Sequence, residues 1–464
     1  MARRTKVAEK SAPLEMPHEA YRTLRLPAIT VPATYPIETL VPQVRQQTPA
    51  VGQRATRSDG RLHGLGQTKY IDDLTFPGML YAKIKRAGIA SARIKSIDTR
   101  EAEAMPGVMA VLTGREIPVN SFGPSLKDQP VLADEQVFHA GDGVAAVAAV
   151  TEQIALEALE RIKVEYEPLP AVFDPLDALN DGAHKVHAPN SNIYATKVIK
   201  KGDIDKGFAA SDHIFEDRFC TQMVEHVPLE PHATIAMWDP NGRVTIHSTL
   251  GRITLGRADV ARTLKLAINR IRIVATIVGG NFGGKNEITQ EPVLALLSKK
   301  TGRPVKGTFT RTEEFIATTT RHPIVMDYKT GVTKDGRIIA RKVRLVLDGG
   351  AYCSWSETTL GKACILAAGP YKIDNLLAEA FVVYTNKTMT GAMRGFGAPQ
   401  VCFAYESQMD DIAVALNIDP LDIRLLNAFD EGSPSPTGQV LHSVVVKDSL
   451  LQAAQRFGWK EGRS

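Results

Sequence analysis

Cysteine is scarce in this sequence. Of 464 residues only Cys220, Cys353, Cys364 and Cys402 are cysteines, and no two stand in C-x-x-C spacing. That excludes a zinc ribbon or an iron-sulfur ligand set within this chain; thiols buried in a reducing cytoplasm are the expected state. Long apolar runs are missing too. Nothing approaches the roughly 20 consecutive apolar residues of a membrane-spanning helix. The opening MARRTKVAEKSAPLEMPHEAY has an arginine pair with no apolar run behind it, so no export signal is expected and the expected location is cytoplasmic. Nor does one charge sign dominate. Lys+Arg number 56 and Asp+Glu 51, a net +5 with no basic block, which leaves no electrostatic footprint for nucleic acid. No internal repeat is visible.

What is present is a composition that packs. Hydrophobic residues make up 44% and charged residues 23%, close to the globular average, which excludes wholesale disorder, a coiled coil and a collagen-like chain. The length points to two or three domains of roughly 100 to 200 residues each. Residues 1–58 read as an extended arm, because prolines such as those in LRLPAITVPATYPIETLVPQ forbid a long helix. Residues 59–178 read as a small α/β domain with strands LYAKIKR, VMAVLT, GVAAVAAV and KVEYEPL and a helix EQIALEALERI. Residues 179–200, including DGAHKVHAPNSN, read as a linker. From 201 to 464 strands and helices alternate again. Strands RVTIHST and IRIVATIVG flank a helix over 258–267, and the helix EPVLALLSKKTG is stopped by Gly302. Asp335-Gly336 turns a two-residue hairpin, and Asp419 caps a helix that starts at Pro420. The expected fold class is α+β.

Two glycine-rich turns carry the chemistry. Gly279-Gly280-Asn281-Phe282-Gly283-Gly284-Lys285-Asn286 lies between an apolar strand and a helix. It nearly spells the phosphate loop G-x-x-x-x-G-K-[ST], in which backbone N–H groups cradle an anion and the hydroxyl binds magnesium. Asn286 stands where that hydroxyl is needed, and Phe282 is bulky for a loop that wraps phosphates. An NTPase, with the strand ending at Asp348 as its second motif, is therefore one alternative. Glycines around a single aromatic fit another task better: close approach of backbone to a cofactor that one ring covers. The second turn, Gly391-Ala392-Met393-Arg394-Gly395-Phe396-Gly397-Ala398-Pro399-Gln400, follows the strand FVVYTN and precedes a helix starting near Gln400. Arg394 suits bidentate contact with an anion or oxo group, and Phe396 offers a flat wall to a planar substrate.

With these turns the chain resembles the molybdenum-binding subunit of the xanthine dehydrogenase and aldehyde oxidase family, the molybdenum hydroxylases. The resemblance runs from about Gly64 to the C-terminus through GLGQTKYIDDLTFPGMLYAKI, GDIDKGF, LEPHATIAMWDPNGRVTIHST, VGGNFGGK, AMRGFGAPQ and SPTGQ, in the family's order. It implies a small hammerhead-like α/β domain followed by the N-terminal half of a mixed α/β molybdopterin-binding domain. It implies a molybdopterin cofactor, in its cytosine dinucleotide form, with molybdenum. The reaction implied is oxidation of a C–H of an N-heteroaromatic compound, or of an aldehyde, with water as oxygen source. Iron-sulfur clusters and FAD on partner subunits would take the electrons. By the same resemblance the backbone of Phe282 and Gly283 lies near molybdenum, and Gly280 and Arg394 contact the cofactor. Arg394 also reaches the substrate, and Phe396 stacks on it.

Several positions depart from the family pattern. Leu250, a cofactor-side position, replaces a glutamine found in many members and donates no hydrogen bond. On the substrate side, Asn286 replaces the glutamate of purine-oxidising members, and uncharged Cys353, in Ala351-Tyr352-Cys353, stands near where they carry an arginine. AMRGFG lacks the cysteine of the carbon monoxide branch. The family's general base, a glutamate in a G-x-G-E turn, is not in this chain; Glu461, in KEGRS, reads as a solvated charge. The expectation is a split enzyme of the nicotinate dehydrogenase type. A second molybdopterin-binding subunit would carry the catalytic glutamate, and the chain alone would be inactive. A non-catalytic scaffolding subunit is the remaining alternative. Weaker signals are His184 and His187, read as an accidental pair, and Glu225-His226 and Glu230-Pro231-His232, which serve either acid/base chemistry or bracing of the loop.

Overall fold

The computed structural model describes residues 56–459. The chain divides into two compact units, one up to Thr68 and one from Lys69 onward. The described part of the first holds one short helix, Gly60–Gly64; the expected arm lies, except for its last residues, outside the described residues.

In the second unit the alternating sequences form strands. Leu80–Arg86 and Val108–Thr113 are half-buried, whereas the uniformly apolar Gly143–Ala149 is buried on both faces, as a central strand must be. Seven strands make the first sheet, in the order Ile271–Ala275, Val244–Ser248, Ala233–Trp238, Val305–Thr308, Leu80–Arg86, Gly143–Ala149, Val108–Thr113. At its middle Leu80–Arg86 runs parallel to Val305–Thr308, with Leu80 opposite Val305. Strands from the expected small domain and from the expected cofactor-binding domain therefore share one sheet. A small third sheet, Gln136–Val137, Ala92–Asp98 and Lys163–Pro168, stands beside it. Helix Glu152–Arg161, capped by the Thr151 hydroxyl, turns Ala155, Ala158 and Leu159 inward.

The five-stranded sheet has the order Ile193–Lys201, Asn375–Val383, Ile338–Asp348, Ile324–Val332, His213–Thr221. Its edge strand, Ile193–Lys201, lies mostly within the segment expected as a linker. Helices Ser356–Leu366 and Ala398–Leu416 bury Leu360, Ala363, Val401 and Ala404 against this sheet. Helices Ile253–Thr263 and Glu291–Thr301 do the same for the seven-stranded sheet through Val260, Ala261, Val293 and Leu294.

Two further elements differ from expectation. The helix expected over 258–267 runs instead over Ile253–Thr263 and stops because Lys265 takes φ +54°. Its early start is masked by Gly256, a poor helix former, which is needed here because a Cβ would lie 2.1 Å from Leu250 Cδ2. The hairpin at Asp335-Gly336 forms, but through Lys334, Asp335 and Gly336, closed by the Thr333 N–H donating to Arg337 O at 2.9 Å; it is not a two-residue turn. The expected caps at Gly302 (φ +66°) and Asp419, whose carboxylate accepts from the Leu421 N–H, are both present. Among the described residues no helix is long and apolar enough to cross a membrane.

Candidate functional site

One glycine turn follows strand Ile271–Ala275 of the seven-stranded sheet, the other follows Asn375–Val383 of the five-stranded sheet, and the two meet where the sheets adjoin. The Arg394 N–H donates to Phe282 O at 2.8 Å. Gly283, at φ +111°, packs so closely that a Cβ would lie 2.4 Å from Ala392 O. Glycine is required there for both conformation and space. Phe282 and Phe396 themselves take φ +51° and +49°, a left-handed backbone that costs a residue with a side chain of order 1–3 kcal/mol and persists only where the surroundings enforce it. Phe282 is 49% exposed, presented outward from the junction.

The first turn is pinned from beneath. Gly279 N–H donates to Glu230 Oε2 at 2.7 Å, and Glu230 N–H donates back to Gly279 O at 3.0 Å. Lys285 is wholly buried and donates to Glu230 O at 2.6 Å, with Glu230 Oε2 at 3.3 Å. Burial pulls the Lys285 pKa down, and Glu230 opposes the shift. This corrects the NTPase alternative: the lysine that would reach a phosphate is tied into the protein as a structural ion pair. Asn281 Oδ1 accepts from the N–H groups of Gly283 (2.9 Å) and Lys285 (3.2 Å), closing the turn on itself.

His226 and His232 sit around this turn. His232 Nδ1 is 2.9 Å from Glu314 Oε1, and its Nε2 is 3.3 Å from Gly284 O. His226 Nε2 is 2.7 Å from Ala392 O. Glu225 accepts from Val227 N–H and from the Thr318 hydroxyl, and burial raises its pKa. His226 and His232 brace the turns. His187 stacks on Phe138 at 4.3 Å, lies tilted against Tyr384 at 4.5 Å and is bonded to Ala351 O.

In the second turn Ala392 and Gln400 are buried, Phe396 is partly exposed and Arg394 is exposed. Arg321 Nη2 donates to Arg394 O at 2.9 Å and Nη1 to Gln400 Oε1 at 3.3 Å, fixing the Arg394 backbone. The Arg394 side chain is exposed, and among the described residues its guanidinium has no hydrogen bond or ion pair. Lys362, on helix Ser356–Leu366, holds its ammonium 5.3 Å from the centre of the Phe396 ring. No motif marked this lysine, because it belongs to a different helix and only the fold brings it to the turn.

The remaining sequence candidates are placed unequally. Asn286 is partly exposed at the end of the first turn, and Gly280, at φ +107°, lets the chain pass Pro228 and the Phe282 ring. Leu250 is 4% exposed and belongs to the core beside Ile288 and helix Ile253–Thr263. The contact to the turn comes from the next residue, whose N–H (Gly251) donates to Lys285 O at 2.6 Å. Cys353 is fully buried; its N–H donates to Asp128 Oδ2 at 2.8 Å, and burial pushes its thiol up to about 12. It is a packing residue rather than a wall facing substrate. Glu461 lies outside the described residues.

No sequence motif marks Glu287. Glu287 accepts from the Ser354 hydroxyl, and Ser354, at φ +46°, abuts Gly391 of the second turn. Its other oxygen is enclosed without a hydrogen-bond partner, and burial pushes the carboxyl up to about 7. Among the described residues no group of three His, Cys, Asp or Glu could hold a metal ion. What the site offers a cofactor is a glycine-lined backbone junction, the exposed Arg394 guanidinium, the exposed Phe282 and the partly exposed Phe396.

Comparison with known proteins agrees with that arrangement. Residues 184–428 match the molybdopterin cofactor-binding domain, and residues 65–170 match the a/b hammerhead domain of aldehyde oxidase and xanthine dehydrogenase. The chain is 38% identical over 406 residues to the nicotinate dehydrogenase large molybdopterin subunit of Eubacterium barkeri, covering 87% of this chain and 95% of that one. It is 39% identical over 397 residues to a probable xanthine dehydrogenase subunit of Bacillus subtilis, covering 85% of this chain and 53% of that protein. Among solved structures, aldehyde oxidoreductase from Desulfovibrio gigas superposes with a TM-score of 0.84 at 31% identity, over 87% of this chain and 46% of that one. The chain thus spans nearly all of the first relative and about half the length of the other two.

Proposed function

The chain belongs to the xanthine dehydrogenase and aldehyde oxidase family of molybdopterin-binding proteins, and from that premise we propose that it is the large molybdopterin subunit of a hydroxylase acting on an N-heteroaromatic substrate. The observation that carries this reading is the junction of the two glycine turns, where the Arg394 N–H meets Phe282 O at 2.8 Å and no Cβ fits at Gly283. The residues fit such a group. A metal held through its own organic cofactor needs close backbone and hydrogen-bond donors rather than a cluster of protein ligands, and the junction supplies both. When bound, the molybdenum-pterin group supplies two-electron oxidation of a C–H with oxygen from water.

The chain's own residues supply the rest. The backbone of Phe282 and Gly283 forms the close wall, with Gly280 beside it, and the Arg394 guanidinium donates to anionic or oxo groups of the cofactor. The face of Phe396 stacks on a planar ring. Lys362, whose ammonium stands over the Phe396 ring 5.3 Å from its centre, binds an anionic substituent or an electron-rich ring acceptor. Asn286 both donates and accepts, which suits a ring nitrogen in either state.

A second molybdopterin-binding polypeptide is proposed to bring the general base and the remaining cofactor contacts, with iron-sulfur and FAD subunits as electron acceptors. Two observations favour that division: nearly complete coverage of a relative named a large subunit, against about half of the longer ones. The cytosine dinucleotide form of the cofactor and a cytoplasmic location belong to the same proposal. The test is purification of the complex from its native host, with metal and pterin analysis and a screen of heterocycles and aldehydes using a dye acceptor. Molybdenum together with heterocycle turnover is the expected result. Turnover of aldehydes alone moves the substrate class, and a complex without molybdenum or pterin overturns the reading.

A further inference from the structure

We propose that His226 is a positioning residue that clamps the two glycine turns together and thereby sets Arg394 and Phe396 relative to Phe282. The inference rests on the functional reading above for what those three residues do, while the clamp itself is read from geometry. The His226 side chain is fully buried. Its Nε2 lies 2.7 Å from Ala392 O; a carbonyl carries no proton, so Nε2–H is the donor and the ring is held in that tautomer. Burial lowers the pKa of the ring and so favours the neutral form.

The opposite side of the ring faces the other turn. A Cβ at Gly284 would lie 2.9 Å from His226 Nδ1 and 3.0 Å from Cγ, so the imidazole fills the space that the missing side chain leaves. His232 holds the same glycine by its carbonyl at 3.3 Å, and Glu314 in turn holds His232. One ring therefore packs on the first turn and hydrogen-bonds the second. The acceptor is also telling. Ala392 O is the atom against which Gly283 packs, and Ala392 stands two residues before Arg394, whose N–H closes the junction. Moving Ala392 moves the Arg394 backbone and with it the guanidinium and the Phe396 face. Elsewhere, Glu225 Oε1, at 3.9 Å, is beyond hydrogen-bond reach of the ring, and the buried ring is closed to solvent. A group so enclosed has no direct contact with substrate, and its effect must pass through the turns.

The test compares the complexes carrying His226→Gln, His226→Asn and His226→Leu with wild type. A glutamine N–H reaches about as far as Nε2, the asparagine falls short and the leucine donates nothing. We expect His226→Gln to retain wild-type kinetics and the wild-type Mo(V) electron paramagnetic resonance spectrum. His226→Asn and His226→Leu should show an altered spectrum and a kcat lowered at least tenfold, with KM changed less. In the protein itself, hydrogen-deuterium exchange at the Arg394 amide should accelerate about three- to tenfold in His226→Leu, as expected for loss of one hydrogen bond. A His226→Leu complex with wild-type spectrum, kinetics and exchange overturns the clamp, and so does a His226→Gln complex as impaired as His226→Leu. If His226→Leu does not assemble, the His226→Gln and His226→Asn pair decides by the same readouts. A wild-type complex without molybdenum would instead overturn the functional reading, and the exchange measurement would still test the clamp.

Discussion

The amide of Arg394 donates to the carbonyl of Phe282, joining two turns that stem from different sheets. The bond is short in reach but large in consequence, because each partner sits beside a backbone conformation that the rest of the fold must enforce: Phe282 at φ +51° and Phe396 at φ +49°. The adjoining contact of Gly283 with Ala392 O leaves no room for a single added carbon.

Gly283→Ala is therefore expected to separate the turns. The added methyl meets a backbone oxygen that cannot step aside, and alanine at φ +111° is strained by of order 1–3 kcal/mol in addition. The purified complex should lose molybdenum and pterin at least tenfold while its far-UV circular dichroism stays unchanged. Wild-type metal content in Gly283→Ala would refute the close junction.

Lys362 should act on substrate rather than on cofactor. For a heteroaromatic substrate bearing a carboxylate, Lys362→Met is expected to raise KM by up to about fivefold, as for loss of one exposed ion pair of roughly 0.2–1 kcal/mol. An uncharged heterocycle should be affected less, and molybdenum content should not change. Steady-state kinetics on the two substrates side by side make the comparison.

Glu287 gives a pH signature. Its carboxyl is pushed up to about 7 in the folded chain against about 4.3 when unfolded. The folded state then holds the proton more tightly, so the associated stability is full below about pH 4.3 and is lost as pH rises through about 7. Glu287→Gln should leave the melting temperature nearly unchanged at pH 4.5 and raise it at pH 8. Equal shifts at both values would show that Glu287 does not titrate in this window.

The cysteines should divide by accessibility. Cys353 is buried, with its thiol pushed up to about 12, and Cys364 is buried with its thiol at about 11; Cys220 and Cys402 are exposed. Iodoacetamide at pH 7.5, followed by peptide mass spectrometry, should label Cys220 and Cys402 in the native chain. Cys353 and Cys364 should be labelled only after denaturation. Labelling of native Cys353 would return it to the substrate wall.

The sequence discloses most strands and both turns, because alternation and glycine spacing are local signals. It discloses less where a distant residue decides the outcome. Gly256 reads as a helix breaker until Leu250 is seen to occupy the space of its side chain. Lys285 reads as a phosphate ligand until Glu230 is found beneath it. Leu250 and Cys353, singled out by the resemblance, are both buried in the interior, and burial of that kind depends on packing partners far away in the sequence. Lys362 could not be singled out at all. Its relation to Phe396 depends on how helix Ser356–Leu366 lies beside the second turn, and nothing in its neighbours' spelling encodes that.

The parallel pairing of Leu80–Arg86 with Val305–Thr308 has a consequence for how the chain is made. Across this pair the Lys83 ammonium donates to Thr308 O, a contact between residues 225 apart. At ribosomal rates of roughly 5 to 20 residues per second, the earlier strand waits about 10 to 45 s for its neighbour to emerge. During that interval Leu80–Arg86 can pair with Gly143–Ala149 on one side only, and its other edge is bare. The nascent chain is thus most vulnerable to wrong pairing in mid-synthesis, and slower translation between these strands would lengthen the exposure.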